Sequence, residues 1–65
     1  MSLETQIGDL FAMAVDSGEV TAETGPDDLD ELFLNMVEMY LGDLSLEDLA
    51  TARRFFDEAV AKLRA

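Results

Sequence analysis

The sequence contains no cysteine, no histidine and no tryptophan, and only one proline. Without cysteine no disulfide can stabilise the chain, and nothing indicates an oxidising compartment. Because cysteine and histidine supply most ligands of zinc, haem and iron–sulfur clusters, the usual sites for those groups are excluded. We therefore expect neither a metal nor a cofactor.

Basic residues are absent from positions 1–52, where thirteen carboxylates lie. The four cations all follow, so residues 1–52 carry a charge of −13 and residues 53–65 carry +2. A surface this uniformly acidic attracts basic surfaces and repels nucleic acid and anionic lipid. We therefore expect the partner to be a basic protein surface, with no direct binding to nucleic acid and none to a membrane.

Long apolar runs are also missing, since no stretch approaches the roughly 18 residues that a membrane span requires. The segment from Met1 to Glu4 lacks the basic region of a secretory signal peptide. On this basis we expect a cytoplasmic protein.

Apolar periodicity is the strongest structural signal that is present. Hydrophobic residues make up 49% of the chain, and they recur at three- and four-residue steps in three segments. The spacing predicts helices over about 3–16, 27–41 and 46–63. Ser2 and Ser45 suit the N-caps of the first and third helices, and Gly18 suits the position after the first. Short links then predict one domain over residues 1–65, an all-α fold and a small three-helix bundle.

The second helix has the widest apolar arc and is expected between the other two. Its regular spacing places Phe33, Met36 and Tyr40 in the core. Gly8, inside the first helix, indicates a close backbone approach by another helix. Four apolar residues fall at the edges of their arcs and predict one exposed patch, compatible with a monomer or a homodimer: Met13, Leu34, Met39 and Phe55.

Catalytic chemistry finds no support in the residue types present. The three serines lie at predicted helix ends, and there is no histidine to activate them. Paired carboxylates act as acid and base when one is buried, whereas every carboxylate here is predicted on the solvent-facing side of a helix or at a helix end. A calcium loop starting at Asp43 fails because Asp48 stands at its glycine position and Arg54 at its last ligand. We expect a protein that is not an enzyme.

The stretch from Pro26 to Leu32 resembles the start of the second helix in acyl carrier proteins, which are also small, acidic and helical. In this chain the motif is Asp-Asp-Leu-Asp, where the family has Asp-Ser-Leu-Asp. The serine that carries phosphopantetheine in that family is replaced by Asp28. The replacement excludes a working carrier.

Carboxylates along the second helix can imitate a nucleic-acid backbone. Duplex DNA carries one charge per about 1.7 Å of its axis, and carboxylates four residues apart on a helix, such as Asp27 and Glu31, stand about 6 Å apart. In size and charge the chain resembles small acidic phage-encoded inhibitors that mimic DNA, including anti-CRISPR and anti-restriction proteins. The resemblance implies that a Cas subunit or another DNA-handling enzyme is the target. Eight acids are the candidate partner-binding residues and are expected to form one negative ridge: Asp27, Asp28, Asp30, Glu31, Glu38, Asp43, Glu47 and Asp48.

Two alternatives to this inhibitor stay open. A docking or adaptor module would bind a basic helix or a positive groove of a protein that need not touch nucleic acid, with apolar edge residues as anchors. Such a module would lose partner binding abruptly when one or two apolar anchors are removed. The binding of a mimic would weaken gradually as its acids are neutralised one by one. A solvated acidic domain would use its charge for solubility alone.

Overall fold

Three α-helices joined by short connections build the fold, which confirms the all-α three-helix bundle. The computed structural model describes residues 2–65. Helix α1 spans Leu3–Asp16, α2 spans Pro26–Met36 and α3 spans Leu46–Arg64. A π-helical segment, Val37–Leu41, continues α2. The described part of the chain contains no strand.

Side chains and a glycine at the predicted positions fix the helix ends. The Ser2 hydroxyl accepts a hydrogen bond from the backbone N–H of Thr5, and the Ser45 hydroxyl accepts one from the N–H of Asp48. These bonds satisfy first-turn donors that have no partner inside the helix. After α1, Gly18 adopts a φ of +80°, a conformation that glycine adopts without strain.

The π-helical segment corrects the predicted course of the second helix. The Gly42 N–H donates to the Val37 carbonyl, five residues earlier, at 3.0 Å, instead of following the four-residue step of an α-helix. The wider turn takes up one more residue and shifts the following side chains around the axis. Leu41 is half-buried, and Tyr40 is 60% exposed. The predicted core position of Tyr40 is therefore wrong.

Aromatic rings dominate the core between the inner faces of the three helices. Phe56 of α3 is fully buried, and its ring centre lies 5.6 Å from that of Phe11 and 5.4 Å from that of Phe33. Phe33 and Met36 are buried, as predicted. Ten hydrophobic residues form one buried cluster: Ile7, Phe11, Ala14, Val20, Leu29, Phe33, Met36, Ala52, Phe56 and Val60.

Arg64, at the end of α3, holds the connection between α1 and α2. Its Nε donates to the carbonyl of Ala22 at 3.2 Å, and its Nη2 donates to the carbonyl of Thr24 at 2.6 Å. Charged donors make shorter and stronger hydrogen bonds than neutral ones. The third helix therefore supports the loop that leads into α2.

Gly8 does not mark a close helix approach, contrary to the prediction. The residue is exposed, and a Cβ placed on it would meet no atom within 4 Å. Since its backbone is helical, glycine brings only the entropy cost of ordering a flexible residue. We expect Gly8→Ala to stabilise the fold by about 0.5–1 kcal/mol. In a thermal melt followed by circular dichroism, an unchanged or lower Tm would contradict this expectation.

Candidate functional site

All eight acids proposed for partner binding lie on the surface. None is shielded from solvent, and no polar or charged side chain is buried among residues 2–65. Four of the acids occupy the first turn of α2 or α3, where the helix dipole favours negative charge. The complete exposed set is Asp27, Asp28, Asp30, Glu31, Glu38, Asp43, Glu47 and Asp48.

The fold distributes these acids over more than one face. Asp28 and Glu31 line a groove between α1 and α2. Glu38 and Asp43 border a smaller depression beside the π-helical segment. Asp30 lies on a third surface, between α2 and α3. Five of the eight predicted residues therefore border three different depressions, and the structure does not gather all eight around one.

Arg53 makes both ion pairs found among residues 2–65. Its Nη2 lies 2.8 Å from Oδ1 of Asp30, and its Nε lies 3.0 Å from Oδ1 of Asp57. The guanidinium carbon also lies 5.3 Å and 5.4 Å from the ring centres of Phe33 and Phe56, within cation–π range. Partial burial lowers the pKa of Arg53, but the two carboxylates outweigh it and hold the pKa above its ordinary value. Arg53 therefore balances part of the negative charge of Asp30 within the fold.

The other carboxylates of residues 2–65 form no ion pair with a lysine or arginine. Arg54 lies over the ring of Phe55, with 5.3 Å between its guanidinium carbon and the ring centre, and Arg64 binds backbone carbonyls. Apart from Asp30 and Asp57, no carboxylate among residues 2–65 takes part in an ion pair. The carboxylates of α1, and those of α2 other than Asp30, therefore lie outside every ion pair of residues 2–65.

Moderate salt is expected to raise the stability of this fold. Self-repulsion at a net charge of −11 weakens as the Debye length falls from roughly 30 Å at 0.01 M to 8 Å at 0.15 M ionic strength. Thermal melts at these two concentrations should show a higher Tm in the saltier buffer. The same rise should appear with sodium and with tetramethylammonium chloride, because screening does not depend on the cation. A lower Tm at 0.15 M would contradict the uncompensated acidic surface.

The groove between α1 and α2 has a volume of about 560 Å³ and an apolar floor. Leu10 and Leu32 are half-buried in it, and Met36 is buried beneath it. Three further apolar or aromatic side chains on its walls are mostly in solvent: Met13 at 61% exposure, Met39 at 69% and Tyr40 at 60%. This groove combines an apolar floor with large exposed side chains on two helices.

Acidic side chains accompany the apolar residues of this groove. Glu19, Asp28 and Glu31 line it, and no lysine or arginine of the described chain does so. Sequence reasoning identified two of these acids but missed Glu19. The missing information was spatial, because Glu19 follows α1 and becomes part of the groove only when α1 packs beside α2.

The predicted single apolar patch is wrong, because its four residues lie on three faces. Met13 and Met39 share the α1–α2 groove, whereas Leu34 lies between α2 and α3. Phe55 is half-buried on the α1–α3 side. Sequence reasoning also missed Leu46, which is 86% exposed next to Leu34. Its place at the first position of α3 was the available signal, since a first-turn residue can point away from the bundle.

Nothing in residues 2–65 resembles a metal site, since no three histidine, cysteine or acidic side chains converge there. Within the same range no helix is both long and apolar enough to cross a membrane. No family model, curated protein or solved structure matches this chain.

Proposed function

We propose that this protein is a non-catalytic inhibitor that binds the basic, nucleic-acid-binding surface of a target protein and blocks it. The observation that carries the proposal is a row of exposed carboxylates along α2 and the π-helical segment, Asp27, Glu31 and Glu38, none of which takes part in an ion pair. These carboxylates present a row of fixed negative charges to a basic surface, as the phosphate backbone of a nucleic acid does. A Cas subunit or another DNA-handling enzyme is the class of target, and a phage is the setting in which such an inhibitor is useful.

The spacing of the outer carboxylates suits this role. Asp27 and Glu31 stand one helical turn apart, about 6 Å along the axis, and Glu38 follows about two turns later. Because lysine and arginine side chains are long and flexible, they reach charges spaced more widely than the phosphates of DNA. Asp30 contributes less to the row, because Arg53 already pairs with it.

The absence of a buried polar group supports a role without catalysis. General acid–base chemistry in a carboxylate pair needs one member whose pKa is raised by burial, and no acid is buried among residues 2–65. A binding role needs only exposed charge and shape. The surface suits recognition better than reaction.

A capture experiment tests the proposal directly. The immobilised protein would be incubated with nuclease-treated bacterial lysate, and the bound proteins would be identified by mass spectrometry with and without added duplex DNA. We expect capture of a nucleic-acid-handling protein that duplex DNA displaces, because the two compete for one basic surface. A partner held equally well in the presence of duplex would contradict mimicry and indicate a docking module.

Neutralising the outer face of α2 should weaken the captured complex. The variant Asp27→Asn/Glu31→Gln/Glu38→Gln removes three charges, and we expect affinity to fall roughly tenfold to a hundredfold, since each interfacial ion pair contributes a modest share. The matched control removes three exposed charges elsewhere: Glu4→Gln, Asp9→Asn and Glu58→Gln. Isothermal titration calorimetry would measure both. An equal loss in the control would show that net charge, and not this face, drives binding.

A further inference from the structure

The α1–α2 groove exposes more apolar surface than a fully solvated face requires. Met13, Met39 and Tyr40 are each at least 60% exposed, and all three line the same groove. Single exposed apolar residues are ordinary on protein surfaces, whereas a group of them around one concavity marks an interaction site. Purely electrostatic mimicry of a nucleic acid uses only the carboxylates and does not require these three exposed apolar or aromatic side chains.

The π-helical segment is what places Tyr40 in the groove. In a regular α-helix the three- and four-residue spacing would turn Tyr40 toward the core with Phe33 and Met36. The five-residue hydrogen bond from Gly42 to Val37 shifts it outward instead. Segments of this kind occur frequently at functional sites. Tyrosine is enriched among the residues that dominate binding energy, and methionine adapts to partners of varied shape.

We propose that this groove is the docking site for a basic amphipathic helix of a partner protein. The apolar face of that helix would contact Met13, Met39 and Tyr40. Its lysine and arginine side chains would extend their stems along the walls and place their charges beside Asp28 and Glu31. A basic helix is complementary to this groove in charge, because three acids and no cation line it.

The length of the groove fits a short helix. From Asp28 to Met39 the wall extends roughly 17 Å at a rise of about 1.5 Å per residue, which accommodates about three turns of a bound helix. Apolar residues at every third or fourth position of the bound helix then contact the two exposed methionines and the tyrosine. This inference goes beyond the proposed function, since a docked helix requires an apolar face that nucleic-acid mimicry does not.

The probe is a synthetic 18-residue peptide of lysine and leucine, with its leucines at helical spacing. A peptide of the same composition in scrambled order is its control. Tyr40 is the single tyrosine and there is no tryptophan, so tyrosine fluorescence reports on the groove alone. Carbon-13 labelling of the methionine methyl groups adds a second readout, because Met13, Met36 and Met39 all line the groove. We expect the amphipathic peptide, and not the scrambled one, to shift these methyl signals and change the fluorescence.

Paired substitutions then locate the binding energy. Met13→Gln/Met39→Gln removes two exposed anchors and leaves every charge in place, and we expect peptide affinity to fall at least about tenfold. The control Leu34→Gln/Leu46→Gln removes two exposed apolar residues, at 56% and 86% exposure, from the α2–α3 surface, and it should change affinity less than about twofold. A larger loss in the control, or no loss in either variant, would overturn the proposal. Unmoved methionine methyls in the unsubstituted protein would overturn it as well, whatever the variants do.

Failure of the docking site and failure of the proposed function are distinguishable. Loss of duplex-competed target binding in the Asp27/Glu31/Glu38 variant, together with methionine methyls that the amphipathic peptide does not move in the unsubstituted protein, would retain the inhibitor and reject the helix site. Methyl shifts with the amphipathic peptide, without any captured protein that duplex displaces, would support the helix site and reject the inhibitor.

Discussion

Phe56→Ala is expected to leave the protein largely unfolded at 25 °C. The side chain is fully buried, and its ring touches the rings of Phe11 and Phe33, one from each of the other helices. Truncating a buried phenylalanine costs about 3–5 kcal/mol. A single hydrophobic core in a chain below about 70–80 residues rarely supplies more than about 3–5 kcal/mol. The far-ultraviolet circular dichroism of the variant should therefore show little helix.

The neighbouring Phe55 provides the matched control for this experiment. The same substitution there removes the same atoms from a half-buried position that is not part of the fully buried cluster. We expect Phe55→Ala to remain folded, with a urea midpoint below that of the unsubstituted protein. If both variants unfold to the same extent, the stability of the fold depends on total aromatic content and not on the specific packing of Phe56 between two rings.

Gly42→Ala is expected to destabilise the fold by about 1–3 kcal/mol. Gly42 ends the π-helical segment with φ +73° and ψ −154°, a combination essentially restricted to glycine because a Cβ strains it. Space is not the reason, since a Cβ there would meet no atom within 4 Å. Urea denaturation followed by circular dichroism should show a lower midpoint with an unchanged slope.

Gly8→Ala is the internal control for Gly42→Ala. Both changes add one methyl group in open space, and only the backbone conformation differs between the two positions. Opposite signs of the change in unfolding free energy are expected, a gain at Gly8 and a loss at Gly42. Equal effects would show that the backbone conformation of Gly42 does not strain an alanine at that position.

Helix number, helix ends and most of the core follow from the sequence, because they depend on local physics. Three- and four-residue apolar spacing predicts the buried faces, and serine and glycine at the right offsets predict the ends. Regular α-helical spacing predicts Tyr40 in the core, whereas the structure exposes Tyr40 and half-buries Leu41. Which of them faces inward depends on the hydrogen-bond step at Val37, and amino-acid periodicity carries no information on that step.

Exposure of the eight acids is equally predictable, since each falls on the polar side of its helix, at a helix start or, for Asp43, in a connection between helices. Their neighbours are not predictable in this way. The pair between Asp30 and Arg53 joins residues of two helices, and it forms only because α2 and α3 pack in one particular rotation. Leu34 and Met39 line different surfaces, although the sequence pattern had assigned both to one patch.

The contact of Arg64 with the carbonyls of Ala22 and Thr24 has a consequence for the order of events during synthesis. The chain emerges from its N-terminal side during synthesis, and domains generally fold as units. Here the loop before α2 receives its supporting donor from the last turn of α3, and Phe11 receives its aromatic neighbour from Phe56 of the same helix. A nascent chain that holds only α1 and α2 has neither contact. The native core can therefore form only after translation has passed through α3.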